Sequence, residues 1–268
     1  MKKKRIPELA LVTGADGGIG SAFCRELASR GIDLVLAGIV AEGLDKLSVE
    51  ISGKYGVKTY CVVVDLTTGD GCRALEEFHT PSGRRPDMLV NNAGIFSFLP
   101  VCDLPDGKCQ AFIDLHITAV TRLSRSYGRL FASRGYGWIL NMSSMSCWMP
   151  MPGLAMYAAT KAYLRVFSRS LSYELRESGV RVMVACPGGI ATDLFGLPKN
   201  LQKLALRIGA IAAPDRFARG AVKRLLRGDS QYINGFLNRV SIVAVGITPA
   251  PLRMMVKHKL LDSGITRP

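Results

Sequence analysis

"ELALVTGADGGIG", Glu8 to Gly20, decides how the rest of this chain is read. An aliphatic run enters a glycine cluster, and a helical pattern starts before the last glycine is passed. Leu9 to Val12 show no polar alternation, so a strand here is buried on both faces, as in a parallel sheet covered on both sides. Glycines 14, 18 and 20 permit a sharp turn and a close approach of backbone to a ligand. A helix beginning at that turn aims free N–H groups and the positive end of its dipole at an anion such as a pyrophosphate.

The same alternation continues outward. Strands are predicted over 8–13, 33–38, 58–64, 87–92, 137–142 and 180–186, all read as buried runs. Helical periodicity fills about 18–30, 41–53, 69–79, 107–134 and 156–178, with one more helix at about 214–228. Six strand–helix units predict a doubly wound α/β parallel sheet with helices on both faces. No linker or repeat divides the 268 residues, so residues 1–268 are expected to form one domain. Residues 188–213 read as a lid over the site, or as a seal on the domain, and 236–268 as an apolar, basic extension.

The net charge of +14 is unevenly placed. Residues 1–5 carry +4 and residues 199–268 carry +10, while 6–198 are neutral. That division argues against a nucleic-acid partner and admits peripheral contact with an anionic membrane. Packing against a subunit or within the chain is the other reading of the tail. Its stretch Val240–Leu252 is too short to span a bilayer. The seven cysteines lack metal-ligand spacing, so reduced thiols and no metal are expected in a cytoplasmic protein. The apolar stretch behind the basic N-terminus is too short for the core of a signal peptide.

A second stretch, "SSMSCWMPMPGLAMYAATK" (Ser143 to Lys161), carries reactive groups. Tyr157 and Lys161 lie four residues apart, one turn on a shared helix face. Pro150, Pro152 and Gly153 place a loop between them and Ser144. With Thr13-Gly14-x-x-x-Gly18-Ile19-Gly20, Asp65, Asn91-Asn92-Ala93-Gly94, Pro187-Gly188 and Thr192, these residues resemble the short-chain dehydrogenase/reductase family over about residues 8–233. The tail is similar to the extension of a subgroup that includes 17β-hydroxysteroid and long-chain 3-oxoacyl reductases.

The resemblance implies a Rossmann-type sheet and an NAD(P)-dependent oxidoreductase. Tyr157 would be general acid in reduction and general base in oxidation, its phenol made more acidic by the Lys161 ammonium. Ser144 would donate to the substrate oxygen. Lys161 would also bind the nicotinamide ribose, and Thr192 the carboxamide. Asp65 would accept from the adenine amino group, and Asn92, Ala93 and Gly94 would line the adenosine ribose. Gly14, Asp16, Gly18, Ile19, Gly20, Ile39, Leu66, Pro187, Gly188 and Ile190 complete the expected cofactor site.

Two positions depart from the family pattern. Its usual helix asparagine is absent, and the count back from Ser144 lands on His116, which either serves in its place, adding an ionisation to the pH–rate profile, or merely fills space. Strand two ends at Gly38-Ile39 without the usual selector of cofactor. Asp16 in the glycine loop would oppose a 2′-phosphate by up to ~4 kcal/mol per unit charge at about 4 Å, which favours NAD(H) over NADP(H).

Met145, Trp148, Met149 and Met151, with Leu194 and Phe195, suit a bulky lipophilic ketone or alcohol such as a hydroxysteroid, unless the first four pack inward. Reduction of a 3-oxoacyl thioester in lipid synthesis is the runner-up. A catalytically impaired dinucleotide-binding sensor or scaffold is the alternative from another class. A homo-oligomer, dimer or tetramer, is expected.

Overall fold

The computed structural model describes residues 5–191, 211–246 and 248–258. Its first half alternates as the sequence predicts: β1 (Leu9–Thr13), α1 (Gly18–Ala28), β2 (Asp33–Gly38), α2 (Ala41–Tyr55), β3 (Thr59–Val63), α3 (Gly69–Glu76) and β4 (Met88–Asn91). Next come α4 (Asp106–Ile113), α5 (Val120–Arg134), β5 (Gly137–Met142), α6 (Ala155–Glu174) and β6 (Val180–Ala185). The described chain closes with α7 (Pro214–Arg227), β7 (Gln231–Tyr232), α8 (Phe236–Gly246) and α9 (Ala250–Val256). The strands form one sheet in the order β3-β2-β1-β4-β5-β6-β7, every pair parallel.

Alternate residues of each central strand feed two cores. On one face Ala10 and Val12 of β1 join Phe23 and Leu27 of α1 and Phe217 and Val222 of α7. The Phe23 and Phe217 rings meet edge to face, 6.1 Å apart. On the other face Leu9 and Leu11 join Leu75 of α3 and Leu123, Tyr127 and Phe131 of α5. The Tyr127 hydroxyl donates to the Leu75 carbonyl at 2.6 Å, which satisfies its one polar group inside that core.

Two expectations need correction. The run 58–64 looks doubly buried, yet β3 is the sheet edge and Val63 is 56% exposed; a β-branched run shows strand preference, not position in the sheet. The predicted helix 107–134 is interrupted by a π-helical segment, Asp114–Ala119, between α4 and α5. The tail after residue 235, read as an apolar, basic extension, forms α8 and α9 in its described part. No helix among the described residues is long and apolar enough to cross a membrane.

The order places a topological switch between β1 and β4, where the chain turns to opposite sides of the sheet. Ligands of such sheets bind beyond the strand carboxyl ends at that crevice. The glycine loop follows β1 and residues 92–94 follow β4, so both lie there.

Candidate active site

The crevice is built by close approach. Gly14 has φ +60°, and a Cβ on it would sit 2.9 Å from the Ala93 Cα. A Cβ on Gly20 would lie 1.9 Å from the Gly14 carbonyl oxygen. Only glycine fits either place. The Thr13 hydroxyl accepts from the Asn92 and Ala93 N–H groups, both at 3.0 Å. The Asn92 side-chain amide donates to the Thr13 and Gly14 carbonyls at 3.0 and 3.1 Å.

The resulting cleft has a volume of about 750 Å³. Every predicted cofactor residue among the described ones lines it, except Asp65. Asp65 is exposed, and one oxygen of its carboxylate accepts from the N–H and hydroxyl of Thr67 at 2.8 and 2.7 Å. Thr192 lies outside the described residues. The structure adds Val64, Ile95 and Leu115 to the walls, apolar positions with no sequence signal beyond their place after β3, after β4 and next to His116. A cleft of this volume, with a cradle that any Cβ would fill, fits a dinucleotide.

Ser144, Tyr157 and Lys161 meet at the far end of this cleft. Ser144 follows β5 in extended conformation and accepts from the Ser146 N–H at 3.2 Å, starting the 3-10 turn Met145–Trp148. Tyr157 and Lys161 stand on the first two turns of α6 and are 6% and 4% exposed. The Ser143 hydroxyl donates to the Lys161 carbonyl at 2.7 Å, which holds the helix against the end of β5. The Lys161 Nζ donates to the Met142 carbonyl at 3.0 Å and lies 5.6 Å from the centre of the Tyr157 ring. Phe96 packs edge to face on that ring at 5.0 Å.

Burial governs both ionisations. It pushes the Tyr157 phenol up to about 12, against a hydrogen bond with Ser144 that lowers it. It brings the Lys161 ammonium down to about 8. The expected ordering of effects is therefore corrected: desolvation of the phenol dominates, and the opposing group is Ser144 rather than Lys161. The phenol remains protonated near neutrality, as a proton donor must be.

A family model described as short chain dehydrogenase matches residues 8–200. The chain belongs to the short-chain dehydrogenase family. It is 34% identical to a very-long-chain 3-oxoacyl-CoA reductase of Macaca fascicularis, over 88% of this chain and 73% of the relative. Among solved structures it resembles a 7beta-hydroxysteroid dehydrogenase, with TM-score 0.82 and 27% identity over 92% of this chain and 95% of that one. It also resembles a short-chain dehydrogenase from Sphingobium yanoikuyae in complex with NADPH, with TM-score 0.77 and 26% identity over 94% and 96% of the two chains. The protein is an NAD(P)-dependent oxidoreductase of that family.

His116 occupies the π-helical segment and is wholly buried. Its Nε2 accepts from the Ile95 N–H at 3.1 Å, so Nδ1 carries the proton and donates to the Thr160 hydroxyl at 2.9 Å. Thr160 in turn donates to the Tyr157 carbonyl at 3.0 Å. Burial, and then the Lys161 charge, hold the imidazole well below its ordinary pKa. In this short-chain dehydrogenase the residue is neutral and ties the β4 loop to α6. The extra ionisation expected from the sequence has no source here, because both ring nitrogens are already engaged.

The substrate side also differs from expectation. Met145, Trp148, Met149 and Met151 do not line the cleft. Met145 is buried, and the Arg165 guanidinium covers the Trp148 ring at 4.7 Å. Leu194, Phe195 and most of the 188–213 segment lie outside the described residues.

The buried ammonium has a consequence for stability. Between about pH 8 and pH 10 the unfolded chain holds a proton at Lys161 that the folded chain has released, so this group's contribution to stability rises with pH. Tyr157, raised from 10.0 to about 12, works in the opposite sense above that window. Denaturant unfolding of the protein and of Lys161→Met across pH 8 to 10 should show the difference moving in favour of the unsubstituted protein. A flat difference would mean that the ammonium is not desolvated.

Proposed function

We propose that the protein interconverts a lipophilic ketone and its secondary alcohol, of hydroxysteroid type, with NAD(H) preferred. The observation that carries this reading is the meeting of Ser144, Tyr157 and Lys161 in one glycine-bounded cleft, with Tyr157 and Lys161 one turn apart on α6. The bound nicotinamide supplies or accepts the hydride. In reduction Tyr157 gives its proton to the oxygen of the substrate, and Ser144 donates a hydrogen bond to that oxygen as negative charge develops on it. Lys161 holds the ribose side and keeps positive charge beside the phenol in oxidation, when the phenol must accept. Phe96 and Phe112 give the Tyr157 ring an apolar surround suited to a carbon-rich substrate. The likeness to a 3-oxoacyl-CoA reductase favours a long-chain 3-oxoacyl thioester as the second reading. Turnover of steroid ketones and of 3-oxoacyl thioesters, compared side by side, separates the two. Tyr157→Phe should lower kcat by at least about 100-fold, the scale of general acid–base catalysis, with the dissociation constant for NADH nearly unchanged. A Tyr157→Phe protein that retains its rate would overturn the assignment.

The preference for NAD(H) rests on Asp16. Its side chain folds over the end of β2: a Cβ on Gly38 would meet the carboxylate at 2.5 Å, and one on Gly43 would meet the Asp16 Cβ at 3.1 Å. Asp16 and Lys161 are the only charged residues of the cleft lining among the described residues, and Ile39 and Val40 beside Asp16 are exposed and apolar. A carboxylate there accepts from ribose hydroxyls and repels a 2′-phosphate. Asp16→Ser should shift the NADPH-to-NADH ratio of kcat/KM towards NADPH by at least about ten-fold, equivalent to ~1.4 kcal/mol. An unsubstituted enzyme that already prefers NADPH ends the proposal.

The extension is proposed to rest on an anionic lipid surface. Phe236 and Leu237 of α8 are 76% and 73% exposed, with Arg239 beside them, and Leu252, Met254 and Met255 of α9 are also exposed. The base of α8 is fixed to the cleft: the Asn234 side chain accepts from the Gly188 N–H at 2.9 Å, and Asn238 packs on Gly188. A lipid-borne substrate would thus meet the site from the membrane side. Flotation with phosphatidylserine vesicles should carry the protein upward, and Phe236→Ser with Leu237→Ser should reduce that fraction. Equal flotation with neutral vesicles would remove the electrostatic part of the proposal.

A further inference from the structure

A second cleft, of about 490 Å³, opens at the other end of β6 from the active site. Val180, Arg181 and Val182, the first half of β6, line it. The cofactor crevice lies past the last residue of the strand, roughly 17 Å away at the rise of a parallel strand. Arg176, Arg181, Arg227, Ser172, Ser230 and Tyr173 supply the polar lining, and among the described residues no acidic one joins them.

The three guanidinium groups stand there without counter-charge. Among the described residues none of them belongs to an ion pair. Arg181 donates to the Leu226 carbonyl, which uses one of its five N–H groups. Glu174 and Glu177 flank Arg176 in the chain but do not line the cleft, and the Asp229 carboxylate accepts from Arg224 at 2.8 Å. Basic residues near helix C-termini often serve the last carbonyls. Here chain N–H groups already take up the carbonyls of Leu171, Tyr173 and Leu175 at the end of α6, and of Arg224 and Leu225 at the end of α7. Capping therefore does not account for Arg176 and Arg227.

The cleft also holds a backbone donor. β7 pairs with β6 only at Val184 and Ala185. The Val184 N–H donates to the Ser230 carbonyl at 3.0 Å. Val182, two residues back, presents its N–H to the same side of the strand, where β7 has not begun and the cleft lies.

We propose that this cleft binds a phosphate-bearing small molecule of the nucleoside phosphate class, at a site separate from the cofactor crevice. Guanidinium groups match phosphate oxygens in paired, charge-assisted hydrogen bonds. The Val182 N–H and the hydroxyls of Ser172 and Ser230 add neutral donors. Tyr173, 62% exposed at the rim, offers a flat face to a base. The volume is that of a small-molecule site and exceeds what one phosphate fills. This binding is independent of the reaction assigned above.

The test is calorimetric titration of ADP into the full chain already saturated with its reduced nicotinamide cofactor, so that the crevice is filled. One further ADP should bind per chain. Arg176→Gln with Arg227→Gln, both at exposed positions, should weaken ADP at least ten-fold and leave the affinity for the cofactor as it is. Adenosine should not bind, and inorganic phosphate should bind more weakly than ADP. Absence of ADP binding to the loaded protein overturns the proposal, as does ADP binding that the double substitution leaves unchanged, or adenosine binding as tight as that of ADP. Phosphate as tight as ADP sustains the anion site and refutes the contact with a base. Vesicles of phosphatidic acid in neutral lipid test the other source of a phosphate group. Flotation that the double substitution abolishes, without ADP binding, assigns the site to a lipid headgroup and overturns the soluble ligand.

Discussion

The tie between Thr13 and the loop after β4 is the constraint on which the site depends. One hydroxyl accepts from two consecutive backbone N–H groups, and one side-chain amide returns to two carbonyls of the glycine turn. Two loops that both leave the sheet at its switch point are thereby fixed against each other. The spacing is close enough that no Cβ fits at Gly14 or Gly20. The glycines are therefore required by protein–protein contact as well as by any ligand.

At the other end of the cleft the controlling effect is desolvation. Tyr157 and Lys161 are both nearly inaccessible, and burial drives their ionisations apart, the phenol up to about 12 and the ammonium down to about 8. A site prepared this way keeps its proton on the phenol until something charged or polar arrives beside it. His116 belongs to the same economy of buried polar groups. Its two nitrogens join the Ile95 backbone to Thr160, and Thr160 joins Tyr157, so a neutral imidazole spans from the β4 loop to α6. The π-helical segment that presents it is a local departure from α-helix of the kind found at functional sites.

The floor of the cleft connects these parts to the rest of the molecule. Residues 143–145 and 185–187 extend the β5–β6 pairing past the end of the sheet. Gly188 then receives α8 through Asn234 and Asn238. The Ser144 loop and the apolar helix of the extension are thus built on one short stretch of backbone. A change at either has a direct mechanical route to Ser144.

The alternation of buried runs with helical periodicity, and the order of the motifs, were enough to read the doubly wound sheet, its six long strands and many of the residues that line the cleft, because strand and helix preference and glycine geometry are local properties. Ser144, Tyr157 and Lys161 were legible for the same reason, since their spacing on a loop and a helix face is set by the chain itself. The edge position of β3, the π-helical turn at His116, the inward packing of Met145 and the reach of Asp16 over Gly38 were not. Each depends on which neighbour the sheet brings alongside, and a one-dimensional pattern holds no record of that. The direction in which Tyr157 and Lys161 are shifted was likewise decided only by the tertiary structure, because desolvation is a property of everything packed around a group and not of the residue one turn away.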